Sequence, residues 1–252
     1  MNPGERELTL PVGHVDATGR LNRQVAIRKM RGHEESLLYD ASLSSGRLIT
    51  QLIAGCLVRL GDEQAVTPAM VSRLFTGDRS FLLLEIRRFT LGDALPCNYS
   101  CPACGANLAI VEDLGHIPVR RHEGDGAPRA STIALEDGYR DRDGKLHTEI
   151  RIRLPRGDDE EFVAETAERD PLRARDALIL RCIEAFGTLP RAALEAYGIK
   201  ILRDLTLGDR QAIYRTLDGD APGIDLRRSL RCASCSSPFE AFLEPTNFFL
   251  LV

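Results

Sequence analysis

Tryptophan is absent from this chain, and aromatic residues of every kind make up only 6% of it. That scarcity argues against a stacking surface for nucleic-acid bases. A basic excess is missing as well: 33 Lys and Arg against 37 Asp and Glu leave a formal net charge of −4, the wrong sign for a protein that neutralises phosphates. No apolar run approaches the roughly 20 residues of a membrane span. The opening MNPGERELTL lacks the basic and apolar runs of a secretory signal. There is no phosphate-binding glycine loop and no nucleophile elbow. The histidines (His14, His33, His116, His122 and His147) are scattered without a ligand spacing. These absences predict a soluble cytosolic chain that is not an enzyme, with no membrane contact and no small-molecule substrate.

Two short cysteine pairs stand out in what is present, Cys101-Pro102-Ala103-Cys104 and Cys232-Ala233-Ser234-Cys235. A C-x2-C pair places two thiolates on one tight turn, and two such turns facing each other make a tetrahedral sulfur cage suited to structural zinc. Four thiolates leave no open coordination position for water, so a catalytic zinc is disfavoured. The expectation is one Zn2+ per chain, held by Cys101, Cys104, Cys232 and Cys235; iron suits the same donor set. A redox dithiol is the competing reading of the first pair, and the matching second pair weighs against it. Seven cysteines are an odd number, consistent with a reducing compartment. Cys56 and Cys182 fall on the apolar faces of expected helices and read as small core residues. Cys97 has Arg228 as its counterpart and reads as incidental.

The long gap between the pairs follows from an internal repeat. At an offset of 131, Gly77-Asp78-Arg79 falls on Gly208-Asp209-Arg210 and the first cysteine pair on the second. Upstream a five-residue insertion shifts the register: ITQLIAGCLVRLG matches RDALILRCIEAFG, with Cys56 over Cys182. Further back, at an offset of 125, Gly19-Arg20-Leu21 lies over Gly144-Lys145-Leu146 and Gly32 over Gly157. A period above one hundred residues means two fused units and not a solenoid. The predicted fold is α+β, a tandem duplicated module of β-hairpin, helices and cysteine knuckle, with a shared zinc-ribbon-like site of four cysteines. The first module spans 1–121, a linker 122–130, and the second module 131–252.

Within module one, strands are expected at 8–13 and 21–30, then helices near 33–41, 47–60, 68–74 and 79–89. Thr67-Pro68 is a start signal, and Asp78 reads as the N-cap of the last helix. Module two repeats the order, with strands near 131–136 and 147–154 and helices near 172–186, 190–196 and 210–217. The acidic run Asp158 to Glu161 reads as a first helical turn next to the positive helix end. LRRSLRC at 226–232 is the best local support for the alternative function, a zinc-ribbon nucleic-acid binder. The apolar tail, with Phe248, Phe249, Leu250 and Leu251, is expected to contact a partner protein.

Several stretches together resemble a known family: Leu10-Pro11-Val12-Gly13, FTGDRSFLLL at 75–84, Cys101/Cys104 with Gly105, RLPRGDDEE at 153–161, and Cys232/Cys235 followed by FLEPTNFF. They are similar to the baseplate hub assembly chaperone family of T-even and related contractile-tailed phages, including relatives in phage-tail-like contractile injection systems. The resemblance runs over most of the chain. It implies a non-catalytic assembly factor or structural component that binds baseplate or hub proteins. Such a factor is cytoplasmic during assembly and is then either released or retained in the virion or injection-particle baseplate. One departure is Ser236, which stands where the first knuckle has Gly105, so a different second turn is expected.

Overall fold

Two three-stranded antiparallel sheets, each backed by helices, make up most of the computed structural model, which describes residues 4–249 except 17, 220 and 244 and the side chains of Thr246 and Asn247. The first half runs β1 (Glu5–Val15), β2 (Leu21–Arg28), α1 (Gly32–Leu37), α2 (Ser45–Cys56), β3 (Leu57–Leu60), α3 (Pro68–Ser72), α4 (Thr76–Leu91), β4 (Ala94–Ser100), β5 (Asn107–Asp113) and β6 (Val119–Arg120). The second runs β7 (Ser131–Arg140), β8 (Leu146–Ile152), α5 (Gly157–Ala167), α6 (Pro171–Cys182), β9 (Ile183–Phe186), α7 (Arg191–Arg203), α8 (Leu207–Tyr214), β10 (Gly223–Ile224), β11 (Arg227–Arg231) and β12 (Pro238–Phe242). Sheet orders are β1-β2-β3 and β7-β8-β9.

Local chemistry sets several boundaries. The Thr67 hydroxyl accepts from the Met70 N–H and Asp170 from the Arg173 N–H, each followed by Pro at the first helical position. The spacing that predicts single helices over 47–60 and 172–186 is in fact divided. Each helix stops at its cysteine, Cys56 or Cys182, and the next four residues leave as a strand pairing with β2 or β8. Leu57 and Leu60 are buried in either conformation, so apolar spacing alone could not separate the two.

The hairpins share one irregularity. In β1 the register jumps from Thr9↔Gln24 to His14↔Asn22, and in β7 from Ala134↔Glu149 to Tyr139↔His147. The extra residues are Leu10-Pro11-Val12-Gly13 in one and Leu135-Glu136-Asp137-Gly138 in the other. Such a bulge leaves backbone N–H groups without a ladder partner, and a buried aspartate takes them up in each half. Asp78 accepts from Val12 and Gly13 at 2.8 and 2.9 Å, and Asp209 accepts from Glu136 and Gly138 at 2.7 and 2.8 Å. Both bulges close on a glycine with positive φ, 117° at Gly13 and 69° at Gly138. Asp78 is therefore no N-cap: it sits inside the first turn of α4 and ties the helix to β1. In the second half the cap belongs to Thr206, whose hydroxyl accepts from the Asp209 N–H.

Two hydrophobic clusters form. The first gathers β1 to β3, α2 and the almost wholly buried run of α4 (Phe81, Leu82, Leu83, Leu84 and Ile86); each such side chain contributes about 1.5–3 kcal/mol. The second gathers β7 to β9 with α6, α7 and α8. Residues after β10 return to the first cluster: Leu226, Leu243, Phe248 and Phe249 all belong to it. β10 likewise pairs with β6. The boundary drawn at 122–130 thus separates the two sheets but not the two cores. The expectation for the tail is corrected in the same way. Phe248 and Phe249 are 0% and 6% exposed in a 3-10 turn packed on α4, because burying two phenyl rings outweighs leaving them in water. They present no surface to a partner; Leu250 and Leu251 lie outside the described residues.

The halves meet where the start of α5 docks on α2 and α4. Thr76 N–H donates to Pro155 O at 3.1 Å, and Gly157 N–H to Leu74 O at 3.0 Å. Glycines permit the approach. A Cβ on Gly46 would lie 2.8 Å from Glu161 Cα, and one on Gly77 would lie 2.0 Å from Pro222 O. Arg79, 1% exposed, crosses this joint to Glu160 at 2.9 Å and also donates to Thr50 Oγ1 at 2.8 Å. Its counterpart Arg210 stays within its own half, on Asp176 at 2.6 Å and Leu202 O at 2.8 Å. The acidic run is accordingly more than a solvated helix start. Asp159, fully buried, accepts from Arg153, Arg181 and the Arg156 N–H, Glu160 takes Arg79, and Glu161 takes Thr50 Oγ1. In the first half Glu34 holds Arg28 and the Arg31 N–H as Asp159 holds Arg153 and Arg156.

A candidate four-cysteine metal centre

Each cysteine pair caps a two-stranded hairpin, β4–β5 and β11–β12, in which Ser100 faces Asn107 and Arg231 faces Pro238. Alternating exposure along both hairpins shows that neither builds a core of its own. At the tips the backbone folds alike. Cys101 N–H donates to Ala106 O at 2.9 Å and Gly105 N–H to Cys101 O at 2.9 Å; Cys232 N–H donates to Ser237 O at 3.0 Å and Ser236 N–H to Cys232 O at 2.9 Å. Ser236 adopts φ 60° where Gly105 has 73°, so the second turn keeps the first one's shape despite the lost glycine. A left-handed serine costs about 1–2 kcal/mol relative to glycine, and the turn holds it there with the same two backbone hydrogen bonds as the first.

The tips face each other. Cys101 Sγ lies 3.7 Å from Cys235 Sγ and Cys104 Sγ 3.7 Å from Cys232 Sγ, and all four sulfurs fall within 4.8 Å of one another. A disulfide needs about 2.05 Å, and all four cysteines are free. Four sulfurs at about 2.3 Å around one ion would be about 3.8 Å apart, which fits this spacing. Cys101 and Cys232 are buried, while Cys104 and Cys235 lie on the outside. The electrostatics suit a cation. The Ser237 hydroxyl and N–H bring the Cys235 thiol down to about 6, and the Cys235 and Ser234 N–H groups lower Cys232. The Ala106 N–H pulls Cys104 the same way, but its hydrogen bonds to the Cys235 and Cys232 sulfurs outweigh this and push it up to about 12. Four such sulfurs become thiolates together only around a positive ion.

Behind the cage, Glu112 on β5 links the hairpins. It accepts from Tyr99 Oη at 2.8 Å and from Arg228 Nε at 3.1 Å, with Arg228 and Glu112 side chains 15% and 12% exposed. Sequence reasoning takes Arg228 as the counterpart of Cys97 and as part of the basic LRRSLRC stretch, and it misses Glu112; the available signal is a carboxylate directly after the apolar run Leu108 to Val111. Cys97 is half-buried against the first core and stands apart from the cluster. Cys56 and Cys182 are core residues whose thiols burial pushes up to about 12. The arginines of LRRSLRC form no free basic patch: Arg227 pairs with Asp225, Arg228 with Glu112, and Arg231 donates to Ser236 O. Among the described residues no other group of three or more His, Cys, Asp or Glu side chains comes together as a candidate metal site. No helix among them is long and apolar enough to cross a membrane.

Fold and site together define an α+β protein of two similarly built parts, clasped at four cysteines that could hold a metal ion. The model of the family described as T4 bacteriophage base plate protein matches residues 6–250, and the chain belongs to that family. No curated protein and no solved structure matches it.

Proposed function

We propose that this chain is a non-catalytic assembly factor or structural component of a contractile, phage-tail-like baseplate or hub, that it binds other baseplate proteins, and that one structural Zn2+ at Cys101, Cys104, Cys232 and Cys235 staples it. The observation that carries the reading is the family match over nearly the whole chain. The cage supports the non-catalytic part, since four cysteine ligands leave no position for water or substrate. The corresponding bulges, aspartates and knuckles of the two halves support an origin by internal duplication. The chain acts in the cytoplasm during assembly, either as a chaperone that leaves or as a part that stays in the phage or injection-system particle.

The test is co-expression of the tagged chain with the other baseplate proteins of its own gene cluster, followed by affinity purification and immunoblotting of finished particles. Recovery of a defined subcomplex, with the chain absent from particles, identifies a chaperone; presence in particles at fixed stoichiometry identifies a component. If no subcomplex is recovered and the chain is also absent from particles, the reading is overturned.

A further inference from the structure

The second half departs from the first at α7, and a groove lies beside that helix. The repeat offset steps from 126 at Cys182 to 131 at Gly208, and the five extra residues fall in the segment containing α7. That helix has 13 residues, where α3 in the corresponding place has 5. One face of it is core, with Leu194, Ile201 and Leu202 buried. It also lies close against α6, because Gly198 has no side chain: a Cβ there would meet Leu180 at 2.5 Å. Between α5, α6 and α7 this leaves a groove of about 830 Å3 with an apolar lining that includes Phe162, Ala177, Leu180 and Tyr197. Phe162 is 63% and Tyr197 54% exposed, both high for aromatic side chains.

Charge makes the groove specific. Five cations and two carboxylates line it, in a chain whose net charge is −4. The carboxylates are committed internally, Asp170 to the Arg173 N–H and Glu195 to Arg191. Arg181 and Arg203 are held by Asp159 and Asp176. Arg173 and Lys200, both exposed, have no ionic or hydrogen-bonding side-chain partner among the described residues. We infer that this groove receives an amphipathic helix of a partner protein, its apolar stripe laid on Phe162, Leu180 and Tyr197 and its flanking carboxylates on Arg173 and Lys200. A helix presents apolar residues at i, i+3, i+4 and i+7 on one face with charges beside them, which matches an apolar floor with cations at its rim. A nucleic acid would want a continuous line of cations, and here three of the five are already paired. The inference rests on the baseplate reading for where the partner comes from.

The test uses the full chain and two synthetic helices with one leucine stripe, flanked by Glu in one and by Lys in the other, in fluorescence anisotropy. The Glu-flanked helix should bind and the Lys-flanked one should not. R173E/K200E should weaken the Glu-flanked helix by roughly tenfold or more, and Tyr197→Ser should weaken it as well. Both changes are at exposed positions, so unchanged melting temperature and metal content verify the fold. Equal binding of both helices, or no effect of R173E/K200E, would overturn the inference. Tighter binding of single-stranded DNA, lost in R173E/K200E, would overturn it in favour of a nucleic-acid groove. Co-purification separates the two layers. Baseplate partners captured by R173E/K200E as well as by the wild type sink the groove alone, whereas none captured by the wild type sinks the functional reading.

Discussion

Arg79 reaches across the joint between the halves to Glu160, Nε to Oε2 at 2.9 Å, from a position 1% exposed. Its side chain also holds Thr50 and the backbone of Val71 and Gly46. An arginine so enclosed is stabilising only while all its partners stay in place. Everything at this joint is therefore sensitive to small displacements, and the glycines around it provide the sharpest test.

Gly77→Ala should destabilise the chain by about 1–3 kcal/mol or more, because its Cβ would enter the space of the Pro222 carbonyl and the backbone there must move. Gly208 occupies the same place in the second half, where the nearest atom to an added Cβ is Thr206 Oγ1 at 3.9 Å. Gly208→Ala should be neutral or stabilising by up to about 1 kcal/mol. Urea unfolding of the two variants side by side checks this; equal effects would contradict the packing described.

Freshly purified, unoxidised protein should carry one zinc per chain by metal analysis, and a chelator should lower its melting temperature. Cys101→Ser should lose the metal and free the two hairpins from each other, which limited proteolysis reads as new cleavage between residues 220 and 245. Less than about half an equivalent of zinc would contradict the cage as a zinc site, and iron in its place would reassign it.

Asp159 gives an acid-side signature. Burial would raise its carboxyl, but Arg153, the Arg156 N–H and Arg181 outweigh burial and hold it below its ordinary value of 3.8. A carboxyl depressed in the native state contributes stability above about pH 4 and loses it as the pH falls through the native value. Asp159→Asn should cost about 2–3 kcal/mol at pH 7, since both arginines keep roughly a third of their side chains in solvent. The gap to wild type should narrow below about pH 4; a gap independent of pH would show that charge is not what matters there.

Asp78 should behave with the opposite sign. Burial pushes its carboxyl from 3.8 up to about 6, against the pull of the Val12 and Gly13 N–H groups. Between these values the native state keeps a proton that the unfolded chain has released, so stability falls as the pH rises from about 4 to 6 and then levels off. Asp78→Asn should abolish that fall while costing stability at every pH, because one amide oxygen must serve two N–H groups. Unfolding free energies from pH 4 to 8 for both proteins decide it. A wild type that gains stability relative to Asp78→Asn across the window would refute the assignment.

Much of this is legible in the residues alone. Two C-x2-C pairs, equally spaced from Gly77 and Gly208, announce a shared cage, and helix starts such as Thr67-Pro68 carry their own chemistry. What escapes has physical reasons. Leu57 and Leu60 satisfy helical and strand burial alike, so the turn from α2 into β3 leaves no trace in apolar spacing. Asp78 looks like a cap because capping residues and buried acceptors are the same residue type; only the bulge at Leu10 to Gly13, fixed by strand register, tells them apart. Phe248 and Phe249 read as a partner surface because a terminal apolar run shows nothing of the α4 surface more than 150 residues away in sequence. Arg79 is invisible as a core residue for the converse reason: its partners come from α2, α3 and α5, and no local pattern records them.

The joint itself has a consequence for polymer growth. The start of α5 sits on α2, an asymmetric contact between similarly built parts, and such contacts have no inherent end: repeated from chain to chain they give a fibre. At the corresponding place in the first half, nothing lies within 4 Å of a Cβ on Gly32, the counterpart of Gly157. The receiving side differs. Where α2 has Gly46 as its second residue, α6 has Leu172, an exposed side chain, so the close backbone approach that the glycine allows has no equivalent there. A second copy's helix start would therefore meet a leucine at the place where the joint within the chain meets a glycine.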